Sequence, residues 1–291
     1  MIEFSTIGSL FRLAADKNLS SPFFETARLI NRNFFHLQHR AVRQPGLVPI
    51  ANVDHSLDDA IPFQPGWAMI YHDFSAFWVR TAAALARSVS PLAAGDFIDS
   101  VGALYVAAAE VYSRHLSTTT RPRYFGNIGC IVIQLFDPHL LCVPSLHVMV
   151  CVHTWIKARY LLEKHGIAET EKAYIEKLFR RAVLITESIL YMKQHSVNCI
   201  PAALYAMNCF EPALFTRRDI SAFAQALFMS KENAEIPQKM RDNIRLYVKT
   251  VYAAFMRERE QLLAAENDDW TAPLITFLKN YQPPSPTTSP T

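Results

Sequence analysis

The chain has 291 residues, is 51% hydrophobic and carries a formal net charge of +3 at pH 7. That apolar content is ample for a sizeable core, and the charge is too small, with no long basic run, to mark a nucleic-acid binder. Only 8 glycines are present, too few for the many tight turns of an all-β fold, so composition points to a helical protein.

The N-terminus, MIEFSTIGSLFRLAADKN, lacks a basic run leading into a long apolar core and does not read as a secretory signal. A helical start gives way to proline-rich loops through RQPGLVPIANVDHSLDDAIPFQPGW, in which Asp58-Asp59 reads most simply as a solvated turn. YHDFSAFWVRTAAALARSV has helical spacing and stops near Pro91. DFIDSVGALYVAAAEVYSRHL reads as a second helix, with Asp96 or Asp99 as its cap and Arg114 in its last turn. A threonine-rich loop leads to Arg121-Pro122. NIGCIVIQLF is apolar and β-branched; its helical surroundings favour a buried helix over a strand. DPHLLCVPS breaks that helix. A new one starts at Ser145 and stops at Gly166. ETEKAYIEKLFRRAVLITESILYMKQHS should enter the core as it proceeds, with Pro201 kinking or ending it. EIPQKMRDNIRLYVKTVYAAFMREREQLLAAEN is an amphipathic surface helix, and QPPSPTTSPT is too poor in apolar residues to fold.

The expected organisation is an N-terminal helical extension over 1–95, a helical core over 96–215, packed C-terminal helices over 216–281 and a disordered tail over 282–291. Pro138 to Ile156 and Gln194 to Phe210 are charge-free, but prolines, histidines and asparagines interrupt them, and a span needs about 20 predominantly apolar residues. The expectation is a soluble, cytoplasmic chain, with peripheral contact at a membrane left open and no oligomeric state assigned. Cys130, Cys142, Cys151, Cys199 and Cys209 all sit in apolar segments without a CxxC pair, and read as buried free thiols in a reducing compartment.

Three segments carry chemistry. Arg114 and Arg121 flank a polar loop, and guanidiniums grip phosphate oxygens through a planar fork of donors. Ser145 and His147 fall at the start of a helix, where free N–H groups and the positive dipole end suit an oxyanion. There His147 could donate a proton to a leaving oxygen, although Ser145 has a plain reading as a cap. Seven residues after Ser188, and on the same face of a continued helix, stands His195, whose neutral imidazole could attack phosphorus.

This order of segments resembles the superfamily of type 2 phosphatidic acid phosphatases and vanadium-dependent haloperoxidases. Its members show a basic residue, six spacers and Arg-Pro, then Pro-Ser-Gly-His, then Ser-Arg with a histidine six positions after that arginine and an aspartate four further on. Arg114 with Arg121-Pro122 is similar to the first element, Pro144-Ser145-Leu146-His147 to the second, and Ser188 with His195 to the third. The Pro-Ser-Leu-His form looks like the branch of sphingolipid synthases and related lipid phosphotransferases. The resemblance covers roughly Tyr112 to Tyr205. It implies an all-α bundle of the acid phosphatase/haloperoxidase type and hydrolysis or transfer of a phosphomonoester or lipid phosphate. In those roles His195 is the nucleophile, His147 the general acid, and Arg114, Arg121 and Ser145 the phosphate ligands. No metal cofactor is implied.

Two family positions differ. Ile189 replaces the third-element arginine, and Cys199 replaces the aspartate that orients the nucleophile, with Asn198 and Lys193 as candidate substitutes. The alternatives are therefore an impaired enzyme of the same fold that only binds phosphate or phospholipid and, against the missing arginine, a haloperoxidase holding vanadate. A metal site from His139, His147, His153 and His195 lacks helical ligand spacing. A Cys151 or Cys199 nucleophile lacks a phosphate loop, and glycines are too scattered for a nucleotide-binding loop.

Overall fold

A computed structural model describes residues 1, 5–230, 233 and 235–284. Most of the tail expected to be disordered therefore lies outside the described residues. The chain is mostly helical, as composition indicates. Helices α1 (Thr6–Ala15), α2 (Ser20–Ile30) and α3 (His36–Arg43) come first, with a π-turn at Asn31–Phe35 joining the last two. Then follow α4 (Ala68–Ser88), α5 (Pro91–Tyr112), α6 (Ile128–Phe136), α7 (Leu146–Lys164), α8 (Lys172–Tyr191) and α9 (Cys199–Phe210). The chain closes with α10 (Arg217–Ala226), α11 (Gln238–Ala264) and α12 (Ala272–Asn280).

Some helix starts have a plain local cause. α5 begins earlier than Asp96 or Asp99 would set it, because Ser90 accepts a hydrogen bond from the Ala93 N–H and Pro91 takes a position that needs no donor. It ends at Tyr112, so Arg114 lies just beyond it. Asn127 caps α6 through the Gly129 N–H. Pro201 neither kinks nor ends a helix; it falls in the first turn of α9, where a missing N–H costs nothing.

One hydrophobic cluster runs from Leu13 to Leu278. α7 is buried on nearly every side and packs against α4, α5, α8 and α9, so α4, from the expected extension, shares the core with the motif helices. α5 crosses α2 closely enough that a Cβ on Gly102 would come within 2.9 Å of Thr26 Oγ1. Among the described residues, α5 is the one helix long and apolar enough to cross a membrane, and over half of its apolar window is buried in the core. α6 is a helix, but not the buried one expected. Gly129, Cys130 and Ile133 face inward while Ile128, Leu135 and Phe136 stand exposed.

Two short strands matter more than their size. β1 (Ile50–Asn52) pairs in parallel with β2 (Leu116–Thr118). β2 in turn holds the loop before α7. The Ser117 N–H donates to the Leu140 carbonyl, the Cys142 N–H to the Ser117 carbonyl, and the Val143 N–H to Ser117 Oγ at 2.7 Å.

Candidate functional site

The loop zipped to β2 delivers Ser145 to the start of α7, where Tyr112 also anchors it by donating its hydroxyl to the Pro144 carbonyl. Ser145 occupies the cap position, yet its side chain closes no cap bond. It faces His195 instead, with Oγ 3.5 Å from Nε2. The reading of Ser145 as a plain cap is thus corrected.

His147, in the first turn of α7, lies between the rings of Tyr71 and Phe74, with centroids 4.4 and 4.1 Å away. Its ring meets His195 edge-on at 5.4 Å. Among the described residues, His147 Nε2 and His195 Nδ1 are both buried without a hydrogen-bond partner. Burial pushes His147 well below the ordinary histidine range, with nearby His195 and His72 acting the same way. Burial, reinforced by His139, takes His195 down to about 3, against the backbone of Cys142. Both rings are neutral at pH 7.

His195 does not continue α8. The helix ends at Tyr191, and Lys193 adopts φ 51°, turning the chain so that the Gln194 and His195 N–H groups both reach back to the Ile189 carbonyl. Ser188 points back along its own helix to the Ile185 carbonyl and takes no part. The turn from 193 to 198 hangs on Asp58. That carboxylate accepts from the Val197 N–H at 2.8 Å, from the His55 N–H at 2.8 Å and from the Ser196 side chain. Burial pushes its pKa up to about 6 despite those bonds. The solvated-turn reading of Asp58 is overturned, because residues far along the chain close over it.

Arg121 belongs to the site. It donates to Gln194 Oε1 at 3.0 Å and to the Asp137 carbonyl at 2.9 Å. Arg114 does not. Its half-exposed guanidinium pairs with Asp269 at 2.7 Å and with Thr271. Neither candidate substitute reaches His195. Asn198 donates to the Val53 carbonyl and accepts from the Tyr247 hydroxyl, while Lys193 donates to the Asp58 carbonyl. Cys199 is a buried thiol pushed well above its ordinary pKa by burial, so no charge replaces the aspartate. Ile189 is core.

His147 and His195 border a cavity of about 10 Å³, room for roughly one water. Phe34, Gln38, Asp137, His139, Leu141, Cys142 and Leu146 complete its wall. His139 is held at φ 62° with Nε2 2.8 Å from Thr119 Oγ1, and burial followed by the charge of Arg121 lowers it to about 4. Burial raises the Asp137 carboxyl, with the His139 N–H and Arg121 opposing. In the sequence, His139 stands out only as part of a metal set without helical ligand spacing, and Asp137 only as part of a helix-breaking loop. Distant His153 bonds Ser100 and stacks on Phe97. Among the described residues no group of three His, Cys, Asp or Glu side chains is suited to a metal ion. All five cysteines are free, and four are buried.

Three imidazoles that burial holds neutral, His139, His147 and His195, thus line a small space together with the Asp137 carboxyl, with the Ser145 hydroxyl against His195 and the Arg121 guanidinium bonded to the neighbouring Gln194. No family model, curated protein or solved structure matches the chain, which leaves the resemblance resting on the motif residues themselves.

Proposed function

We propose that the cavity performs metal-independent hydrolysis or transfer of a phosphate monoester through a phosphohistidine. The observation that carries this is the convergence of His195, His147 and Ser145 with Arg121 beside them. His195, neutral at pH 7, has a lone pair to offer, and Nε2 faces the Ser145 hydroxyl. In the first step Nε2 bonds to phosphorus as the P–O bond to the alcohol breaks. His147 hands its proton to the departing oxygen. That proton must arrive with the substrate, because the resting His147 is unprotonated; a phosphate monoanion brings one and its charge favours the imidazolium. His147, neutral again, then takes a proton from water, whose oxygen attacks phosphorus and frees His195. Arg121 is the cation available to the equatorial oxygens.

A second reading, phosphate or phospholipid binding without turnover, draws on two features. Among the described residues no charged group bonds His195, and the cavity has room for only about one water. Vanadate would enter as a mimic of the phosphoryl transition state under either reading. The deciding experiment is phosphate release from para-nitrophenyl phosphate and a short-chain phosphatidic acid in EDTA, with His195→Ala alongside. Release that survives EDTA and vanishes in the variant supports the enzyme. Equal rates in both, with phosphate still protecting the fold against heat, leave the binding reading.

A further inference from the structure

We propose that the rim of this cavity is a docking face for an anionic membrane surface. Two stretches meet at the cavity wall: 31–50, through Phe34 and Gln38, and 111–136, which runs into Asp137. Together they hold six of the 29 cationic side chains and none of the 26 acidic ones, which leaves the rest of the chain net negative; one of the six, Arg114, is paired with Asp269. Arg32, Arg40, Arg43 and Arg123 are exposed and pair with no carboxylate among the described residues.

The same stretches put apolar side chains into solvent. On α6, Ile128, Leu135 and Phe136 are 73%, 68% and 71% exposed, with Val132 on the same stripe. That is i, i+4, i+7, i+8 spacing, one helix face. The opposite face seats on α4, where a Cβ on Gly129 would come within 2.8 Å of Ala68 and His72 Nε2 meets the Gly129 carbonyl at 3.0 Å. α6 therefore rests on the core by its small residues and turns its large ones outward. Phe125, just before α6, is exposed too, and so are Phe35, Val42 and Leu47 on the 31–50 stretch.

Cations beside exposed aliphatic and aromatic groups suit a lipid surface, which offers anionic headgroups above hydrocarbon. A second copy of the chain would set arginine against arginine, and a nucleic acid would leave the α6 stripe uncovered. The docking face stands whatever the chemistry at His195. That it would bring a lipid phosphate to the cavity rests on the phosphoryl-transfer reading.

The experiment is co-sedimentation of the full chain with phosphatidylcholine vesicles, with and without phosphatidylglycerol, at low and high salt. Expected is binding that needs phosphatidylglycerol and weakens with salt. It should fall about five-fold for each of Arg40→Gln and Arg43→Gln, and more than about ten-fold for Leu135→Ser with Phe136→Ser. Thermal melts check that these surface variants fold. His195→Ala should sediment like wild type, which separates a failure of docking from a failure of the chemistry. Absence of wild-type sedimentation, binding indifferent to the serine pair, or a light-scattering dimer that the serine pair dissolves would each overturn the proposal.

Discussion

His147 and His195 sit on the cavity floor with almost no solvent contact, while Phe35, Leu135 and Phe136 stand in solvent on its rim. The floor is polar chemistry sealed inside apolar packing; the rim is apolar surface interleaved with arginine. A buried polar group resists change because its surroundings fix its protonation and its partners. An exposed apolar group adds little to the stability of the fold because folding does not remove it from water, and a patch of them marks contact with something else. The two regions should therefore answer to different variables. The floor should respond to pH and to single-atom deletions, and the rim to salt and lipid.

The largest expected effect lies on the floor. His195→Ala should lower EDTA-resistant phosphate release by about ten-thousand-fold, with little change in binding to vesicles; a loss of less than ten-fold would remove His195 as nucleophile. Next is Asp58→Ala, which strips acceptors from the turn carrying His195 and leaves two part-buried N–H groups, those of His55 and Val197, without their acceptor. A urea titration should show a loss of about 3 kcal/mol, and an unchanged midpoint would mean that the turn holds itself.

Acid should distinguish floor from rim. His195 at about 3 and His139 at about 4 lie below the ordinary 6.5, and His147 is lowered as well. A depressed folded-state pKa gives stability that is present above pH 6.5 and lost as pH falls towards 3. Asp58, raised to about 6 from 3.8, acts the other way: its contribution is present below 3.8 and lost as pH rises through 6. With His139, His147 and His195 lowered against Asp58 and Asp137 raised, the melting temperature should drop between pH 6.5 and 4, and a flat profile would contradict the neutral floor. Asp58→Asn should steepen that drop by removing one opposing group.

Smaller effects separate the two arginines. Arg121→Ala should weaken protection by inorganic phosphate about ten-fold. Arg114→Ala should leave turnover unchanged and cost no more than about 1 kcal/mol, as expected for an exposed ion pair. Equal losses of phosphate affinity in both would restore Arg114 to the site.

The sequence made Ser145, His147, His195 and Arg121 legible because each rests on a local cue, a helix start or an Arg-Pro pair. Arg114 was misplaced because its partner, Asp269, lies 155 residues away and no local pattern announces it. Asp58 was hidden for the same reason. An acidic pair in a proline-rich loop looks solvated until residues 193–197 fold over it. His195 lies on a turn and not on the continued helix the spacing suggests, since nothing in YMKQHS signals that Lys193 will turn left-handed. α6 was right in type and wrong in burial, because an uncharged helix looks like core unless its packing partners are known.

The Asp58–Val197 bond joins positions 139 apart, and that separation bears on the order of assembly. Helices α7 and α8 pair through neighbours in sequence and can form early. The turn that presents His195 cannot settle until the loop around residue 58 has docked from the far end of the chain. A nascent polypeptide would thus hold its helices before it holds its reactive centre, with the imidazole pair among the last features to mature.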